Sequence, residues 1–228
     1  MGRVIHFECS RCSKGMAGEG ESESDRLEIE PGVSLERVGK FCYLGEMLGE
    51  EGGAELAVAS RVGKAWGKFN TLAPLLCNKG VSGKVKARMY VTCVRSCLLY
   101  GSETWALTKE NQRKVECAEN RMIRKMSGVK DGVPVEKMRQ EMGIMKITEV
   151  IRMGRLRWFG HVRRREESSW VRRCMDMEIE GRNPKGRPKL TWRQVVRQDL
   201  ELMGMEEEEA EDRDYWRFRL DCMRYRRT

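Results

Sequence analysis

Apolar positions change their period near residue 53. Before that point Leu27 and Ile29 alternate with charged residues, and Pro31-Gly32 marks a turn. Val33, Leu35 and Val38 then lead into Phe41-Cys42-Tyr43-Leu44-Gly45. A period of two suits a half-buried strand, so residues 26–48 are expected to form a β-hairpin or small sheet. Gly49 to Gly53 breaks the pattern.

After the break the spacing becomes three and four, the spacing of one helix face. Ala59, Val62, Trp66, Phe69, Ala73 and Leu76 define a first helix, with Pro74 expected to end it. Ser82 is expected to cap a second, in which Val85, Met89, Cys93, Val94 and Cys97 share a face. Thr108 caps a third, with Val115, Ala118, Met122, Ile123 and Met126 inward and Gly128 as its stop. A short helix over Val135–Met142 follows. Thr148 is expected to open another through Ile151, Leu156, Phe159 and Val162. Residues 170–180 fit either strand or helix, and the composition of residues 181–190 is that of a loop. Thr191 with Gln194 forms a capping-box pattern ahead of Val195, Val196, Leu200 and Met203. An acidic run, Glu206 to Glu211, precedes an amphipathic end around Tyr215, Trp216, Phe218 and Leu220.

The expected fold class is mainly α: a small β-hairpin element, a helical bundle, then a basic C-terminal region. At 228 residues the chain has room for one or two domains of about 150 residues each. Its 40% apolar content is enough for a core, and its 35% charged content exceeds the usual roughly 25%. No apolar run approaches the roughly 18 residues of a membrane span, and Met1 to Ser10 lacks a secretory pattern. The expectation is therefore an intracellular protein, of cytoplasm or nucleus, with no membrane partner. Its nine cysteines are then expected as reduced thiols, ligands or core filler. Cys93, Cys97 and Cys117, on apolar helix faces, are expected to be buried thiols.

Charge narrows the picture further. Between Arg152 and Arg197 there are 14 Lys and Arg against 5 Asp and Glu; that excess of nine equals the net charge of +9 of the whole chain. Arg155, Arg157, Arg163, Arg164 and Arg165 surround Trp158, Phe159 and His161, and Arg187 and Lys189 lie in a Gly- and Pro-bearing loop. Guanidinium forks hold phosphates, and flat rings stack on unpaired bases. These seven basic residues are the candidate phosphate contacts. RNA, DNA or an RNA–DNA hybrid, held by its backbone, is the expected partner. A solvated charged helix face, with Trp158 and Phe159 in the core, is the competing reading.

Four strings occur in order: Phe41-Cys42-Tyr43-Leu44-Gly45; Leu99-Tyr100-Gly101-Ser102-Glu103-Thr104-Trp105; Arg155-Leu156-Arg157-Trp158-Phe159-Gly160-His161-Val162; and Gly186-Arg187-Pro188-Lys189 before Thr191-Trp192. Together they resemble the region after the catalytic palm in jockey-like and related non-LTR retrotransposon reverse transcriptases, which are RNA-directed DNA polymerases. The resemblance implies that residues 26–48 are similar to the primer-grip hairpin, with Tyr43, Leu44 and Gly45 positioning the primer; hairpin core is the alternative for Tyr43 and Leu44. It implies a thumb-like helical region over residues 54–145 and a basic C-terminal extension over 146–228. Enzymes of this family carry an aromatic-x-Asp-Asp motif whose carboxylates hold Mg²⁺. The seven aspartates here (Asp25, Asp131, Asp176, Asp199, Asp212, Asp214 and Asp221) include no adjacent pair. No catalytic residue is carried over, and Mg²⁺ is expected only for a full-length enzyme. The expectation is a noncatalytic fragment, with pairing to a palm-bearing chain left open. A helical interaction protein or an inert relic of a decayed element is the alternative.

Residues 1–25 hold Phe7-Glu8-Cys9-Ser10-Arg11-Cys12 and a Gly-, Glu- and Ser-rich linker. Cys9 and Cys12 supply half of a tetrahedral zinc set. They resemble the last ligand pair of a plant-homeodomain-like finger, and the expectation is a stump without bound zinc.

Overall fold

A computed structural model of the chain describes residues 26–30, 33–36, 38–49, 53–128, 133–177 and 190–225. Cys9, Cys12, the linker, the Pro31-Gly32 turn, Arg187 and Lys189 lie outside them. The chain divides into two compact units, residues 1–57 and residues 58–228.

Among its described residues the first unit has two separate antiparallel hairpins rather than one sheet. Strand β1 (Arg26–Glu30) pairs with β2 (Val33–Glu36), and β3 (Lys40–Tyr43) pairs with β4 (Glu46–Gly49). The β3–β4 register sets Phe41 opposite Leu48 and Tyr43 opposite Glu46. Leu44 and Gly45 form the two-residue turn, with φ of 48° and 82°. Such a turn needs positive φ at both positions because its twist then matches that of the strands. Gly45 accepts this without strain, whereas a leucine in the left-handed region costs about 1 kcal/mol or more.

The second unit is helical, so the mainly α expectation holds. Helix α1 (Glu55–Leu76) buries Val58, Arg61, Ala65, Phe69 and Leu76. Pro74 lies inside its last turn rather than ending it. Next come α2 (Gly83–Met89), a π-helical turn (Tyr90–Arg95) and α3 (Ser96–Leu98). Their inward face is Lys86, Ala87, Tyr90, Val94, Arg95 and Leu98. Val85 is exposed, Met89, Cys93 and Cys97 are half-buried, and Cys117 is exposed. Ser82 sits at the N-cap position without a side-chain cap bond.

The π turn has a physical cause. In an α-helix residues five apart are rotated by roughly 500° and so point about 140° apart. A π turn bonds residue i to i+5 and brings them onto one side. Here Tyr90 and Arg95 must both reach Glu119, which is fully buried. Arg95 donates to its Oε1 at 2.8 and 2.6 Å, Tyr90 donates to the same oxygen at 3.3 Å, and Arg139 donates to Oε2 at 2.5 Å. Arg95 also donates to the Met145 carbonyl at 2.6 Å. Burial, and then the Glu119 charge, pushes the Tyr90 phenol well above the ordinary tyrosine value.

A 3-10 turn (Ser102–Thr104) leads to buried Trp105. Helix α4 (Lys109–Ser127) is capped by the Thr108 hydroxyl, which accepts from the Asn111 N–H at 3.2 Å, and stops at Gly128 with φ 62°. Val115, Ala118, Met122, Ile123 and Met126 are buried as the spacing predicts. Helix α5 (Val135–Met142) follows. Helix α6 (Ile147–Arg163) begins after Lys146, so Thr148 is inside it and does not cap it. Residues 170–176 are helical, as α7 (Trp170–Asp176). Helix α8 (Trp192–Met203) has the full capping box of Thr191 and Gln194. A 3-10 turn (Glu208–Glu211) precedes α9 (Arg213–Tyr225).

Helix α6 is the hub of this unit. It packs against α4, α7, α8, α9 and both 3-10 turns. Leu156 and Phe159 join Val196, Leu200, Met205, Ala210, Trp216 and Leu220 in one buried cluster. Residues 54–145 and 146–228 are in contact: α6 packs on α4, and the Trp192 indole donates to the Glu103 carbonyl at 2.8 Å. Among the described residues no helix is long and apolar enough to cross a membrane.

Candidate nucleic-acid interface

One helix presents two chemically different faces. The inward side of α6 carries Leu156, Phe159 and Val162, and Arg155 is only 4% exposed. Arg155 donates to Asp199 Oδ2 on α8, while Arg152 donates to Asp199 Oδ1 at 3.0 Å. Burial lowers the Arg155 guanidinium below the ordinary arginine value, and the Asp199 carboxylate opposes that shift. Arg155 is therefore an internal ion-pair partner, not a phosphate contact as the sequence suggested.

Arg163 and Arg164 are also turned onto the protein. Arg163 approaches Glu211 at 3.4 Å, and Arg164 donates to the Ala210 carbonyl at 2.5 Å. Burial, and then the nearby positive charge of Arg213, lowers the Arg164 guanidinium. Both side chains fasten α6 to the 3-10 turn before α9. Several other arginines of the region are paired within the protein as well. Arg172 pairs with Asp176 at 3.2 Å, and Arg193 pairs with Asp176 at 2.7 Å and Glu207 at 3.2 Å.

The outward side of α6 differs. Arg157, His161 and Arg165 are exposed, and Trp158 is half-buried. The Trp158 and His161 rings stack with centroids 5.2 Å apart and planes inclined by 26°. The Arg165 guanidinium lies 3.3 Å from His161 Nε2. Glu103, Gly154, Arg157, Trp158 and His161 line an open cleft of about 440 Å³. On the other side of Trp158 a second groove of about 520 Å³ is walled by Trp158, Val162, Trp170, Val171 and Trp192.

Three of the four sequence strings meet here. The second places Glu103 in the cleft and Thr104 in the groove, the third supplies Arg157, Trp158 and His161, and the fourth supplies Trp192. The sequence did not foresee Glu103, Trp170 or Trp192 as neighbours of Trp158, because they lie up to 89 residues apart, the separation spanned by the Trp192–Glu103 bond.

The first string lies in the other unit. There Tyr43 is 57% exposed and Leu44 is 75% exposed, so neither is hairpin core. Phe41 and Tyr43 stack at 6.4 Å on the face that also holds Leu48. A strained, exposed leucine at a turn is the kind of local cost that functional surfaces carry. Among the described residues no three His, Cys, Asp or Glu side chains converge to hold a metal ion.

No family model matches the chain, and no solved structure matches it. The chain is 23% identical over 177 residues to an uncharacterized transposon-derived protein of Caenorhabditis elegans. That similarity supports a transposon-related origin. The match covers 74% of this chain and 62% of the relative's length. At this identity the relative supplies no residue roles, which rest on the geometry above.

Proposed function

We propose that the chain is a noncatalytic part of a retrotransposon reverse transcriptase, retaining surfaces that bind nucleic acid. The observation that carries this reading is the meeting of three separated sequence strings on the outward face of α6, where exposed Arg157 and Arg165 flank the Trp158–His161 stack. Cations beside flat rings are what a phosphate backbone with accessible bases requires. The exposed Tyr43-Leu44-Gly45 turn is the primer-side contact in the same reading. No chemical step is assigned to any residue of this chain.

The test is fluorescence anisotropy with a labelled RNA–DNA hybrid and with each of its separate strands, across a salt series. Binding should weaken steeply with salt, because each neutralised phosphate releases counterions. The double variant Arg157→Ala, Arg165→Ala should flatten the slope by roughly two. No binding to any of the three at low salt overturns the proposal.

A protein-interaction role is the second reading, motivated by Trp170 (73% exposed) and Met177 (62% exposed) beside the groove. A defined oligomer in sedimentation, without nucleic-acid binding, would favour it.

A further inference from the structure

Nucleic acid offers two different surfaces to a protein. A duplex shows a regular charged backbone with its base faces hidden, whereas a single strand shows phosphates and open π-faces together. The surface around Trp158 is suited to the second. The cleft side holds an aromatic stack whose His161 end is exposed. The groove side is walled by two further indoles, Trp170 and Trp192, with Val171 of α7 beside them. Trp192 is fixed by its bond to the Glu103 carbonyl, so that wall is rigid. Trp170 is 73% exposed and has the Arg173 guanidinium 4.4 Å from its ring centroid.

The volumes of about 440 and 520 Å³ lie within the range of about 300–1,000 Å³ that accepts a small organic ring system. The charges are placed to match. Arg157 lines the cleft and Arg165 sits one turn on from His161, both exposed. Arg173 is exposed and adds a cation beside the Trp170 ring. The carboxylate in the cleft, Glu103, would repel a phosphate there, and it suits a base edge, whose amino hydrogens a carboxylate accepts.

We propose that the cleft and groove on either side of Trp158 seat a single strand of RNA or DNA, with adjacent bases against the Trp158–His161 stack and Trp170 and the phosphates on Arg157 and Arg165. This rests on the nucleic-acid reading above and goes further by naming the unpaired strand as the ligand. The strand is held by stacking and charge, so the site accepts many sequences.

The experiment uses the full chain and three labelled probes: a short mixed-sequence RNA, the DNA of the same sequence, and the matching RNA–DNA hybrid. At least one single strand should bind tenfold or more tightly than the hybrid. Trp170→Ala should weaken single-strand binding by roughly tenfold, the order expected for loss of one stacked base, and leave the hybrid unchanged. Trp170 is largely exposed, so this variant keeps its fold, which circular dichroism checks. Arg157→Ala should weaken all probes. Equal affinity for hybrid and single strands, or single-strand binding indifferent to Trp170→Ala, overturns the inference while leaving nucleic-acid binding intact. No binding of any probe overturns both.

Discussion

The indole N–H of Trp216 donates to the carbonyl of Leu156 at 3.0 Å, one turn below Gly160 on α6. A Cβ on Gly160 would lie 2.4 Å from Trp216 Nε1 and 2.7 Å from its Cδ1. The missing side chain is what lets α9 close onto α6 and bury Trp216. Gly160→Ala should therefore destabilise the helical unit by about 1–3 kcal/mol, the usual cost of overpacking, visible as a lower midpoint in urea. An unchanged midpoint would mean that Trp216 can seat elsewhere.

Glu119 gives a second expectation. Replacing it with Ala leaves Arg95 and Arg139 buried without a counter-charge. Removing one partner of such a pair costs ~3–5 kcal/mol, whereas replacing all partners with apolar residues is often neutral. Glu119→Ala should unfold at markedly lower denaturant. Combining Glu119→Leu with Arg95→Met and Arg139→Met should recover much of the loss. Additive loss across the three changes would contradict a coupled network.

The phenol of Tyr90 ties the same network to pH. Its folded value lies above the unfolded value near 10. The unfolded chain thus releases this proton first, so the contribution is fully present below about pH 10 and is lost as pH rises above it. Stability should fall above that pH. Of the five tyrosines, one should not ionise at 295 nm until the protein unfolds. Tyr90→Phe should soften the alkaline loss after a neutral-pH cost of roughly 1 kcal/mol for the hydrogen bond. Ionisation of all five tyrosines in the folded state would refute the buried position.

Neighbouring arginines on α6 should separate in their effects. Arg155→Ala strips a buried partner from Asp199, with Arg152 still in place, so the cost falls at the lower end of ~3–5 kcal/mol. Arg157→Ala, on the exposed side, should leave the denaturation midpoint within about 0.5 kcal/mol and weaken nucleic-acid binding. Denaturation and anisotropy on the same two variants read the split. Equal loss of stability in both would place Arg157 inward.

The elements read correctly from sequence are those with local signals. Thr108 and Gly128 bracket α4, and Thr191 with Gln194 opens α8, because caps act over three or four residues. The α2 face was misread because its buried side carries Lys86 and Arg95, which apolar spacing cannot register. Arg155 looked like its neighbours because its partner, Asp199, lies 44 residues away. The aromatic and basic character of the 155–165 stretch was legible, but which side chains face outward was not. That division depends on α8 and α9 covering one side of α6.

The π turn also sets a tolerance of length. Between Tyr90 and Arg95 the chain holds one residue more than an α-helical turn would need to keep both side chains on Glu119. If one intervening residue were removed, the two would stand four apart and still face the same carboxylate. A one-residue deletion elsewhere in a buried helix swings everything beyond it by about 100°. Here the buried carboxylate can keep both partners after the loss of one residue, so this turn is a place where the helical unit tolerates a shorter chain.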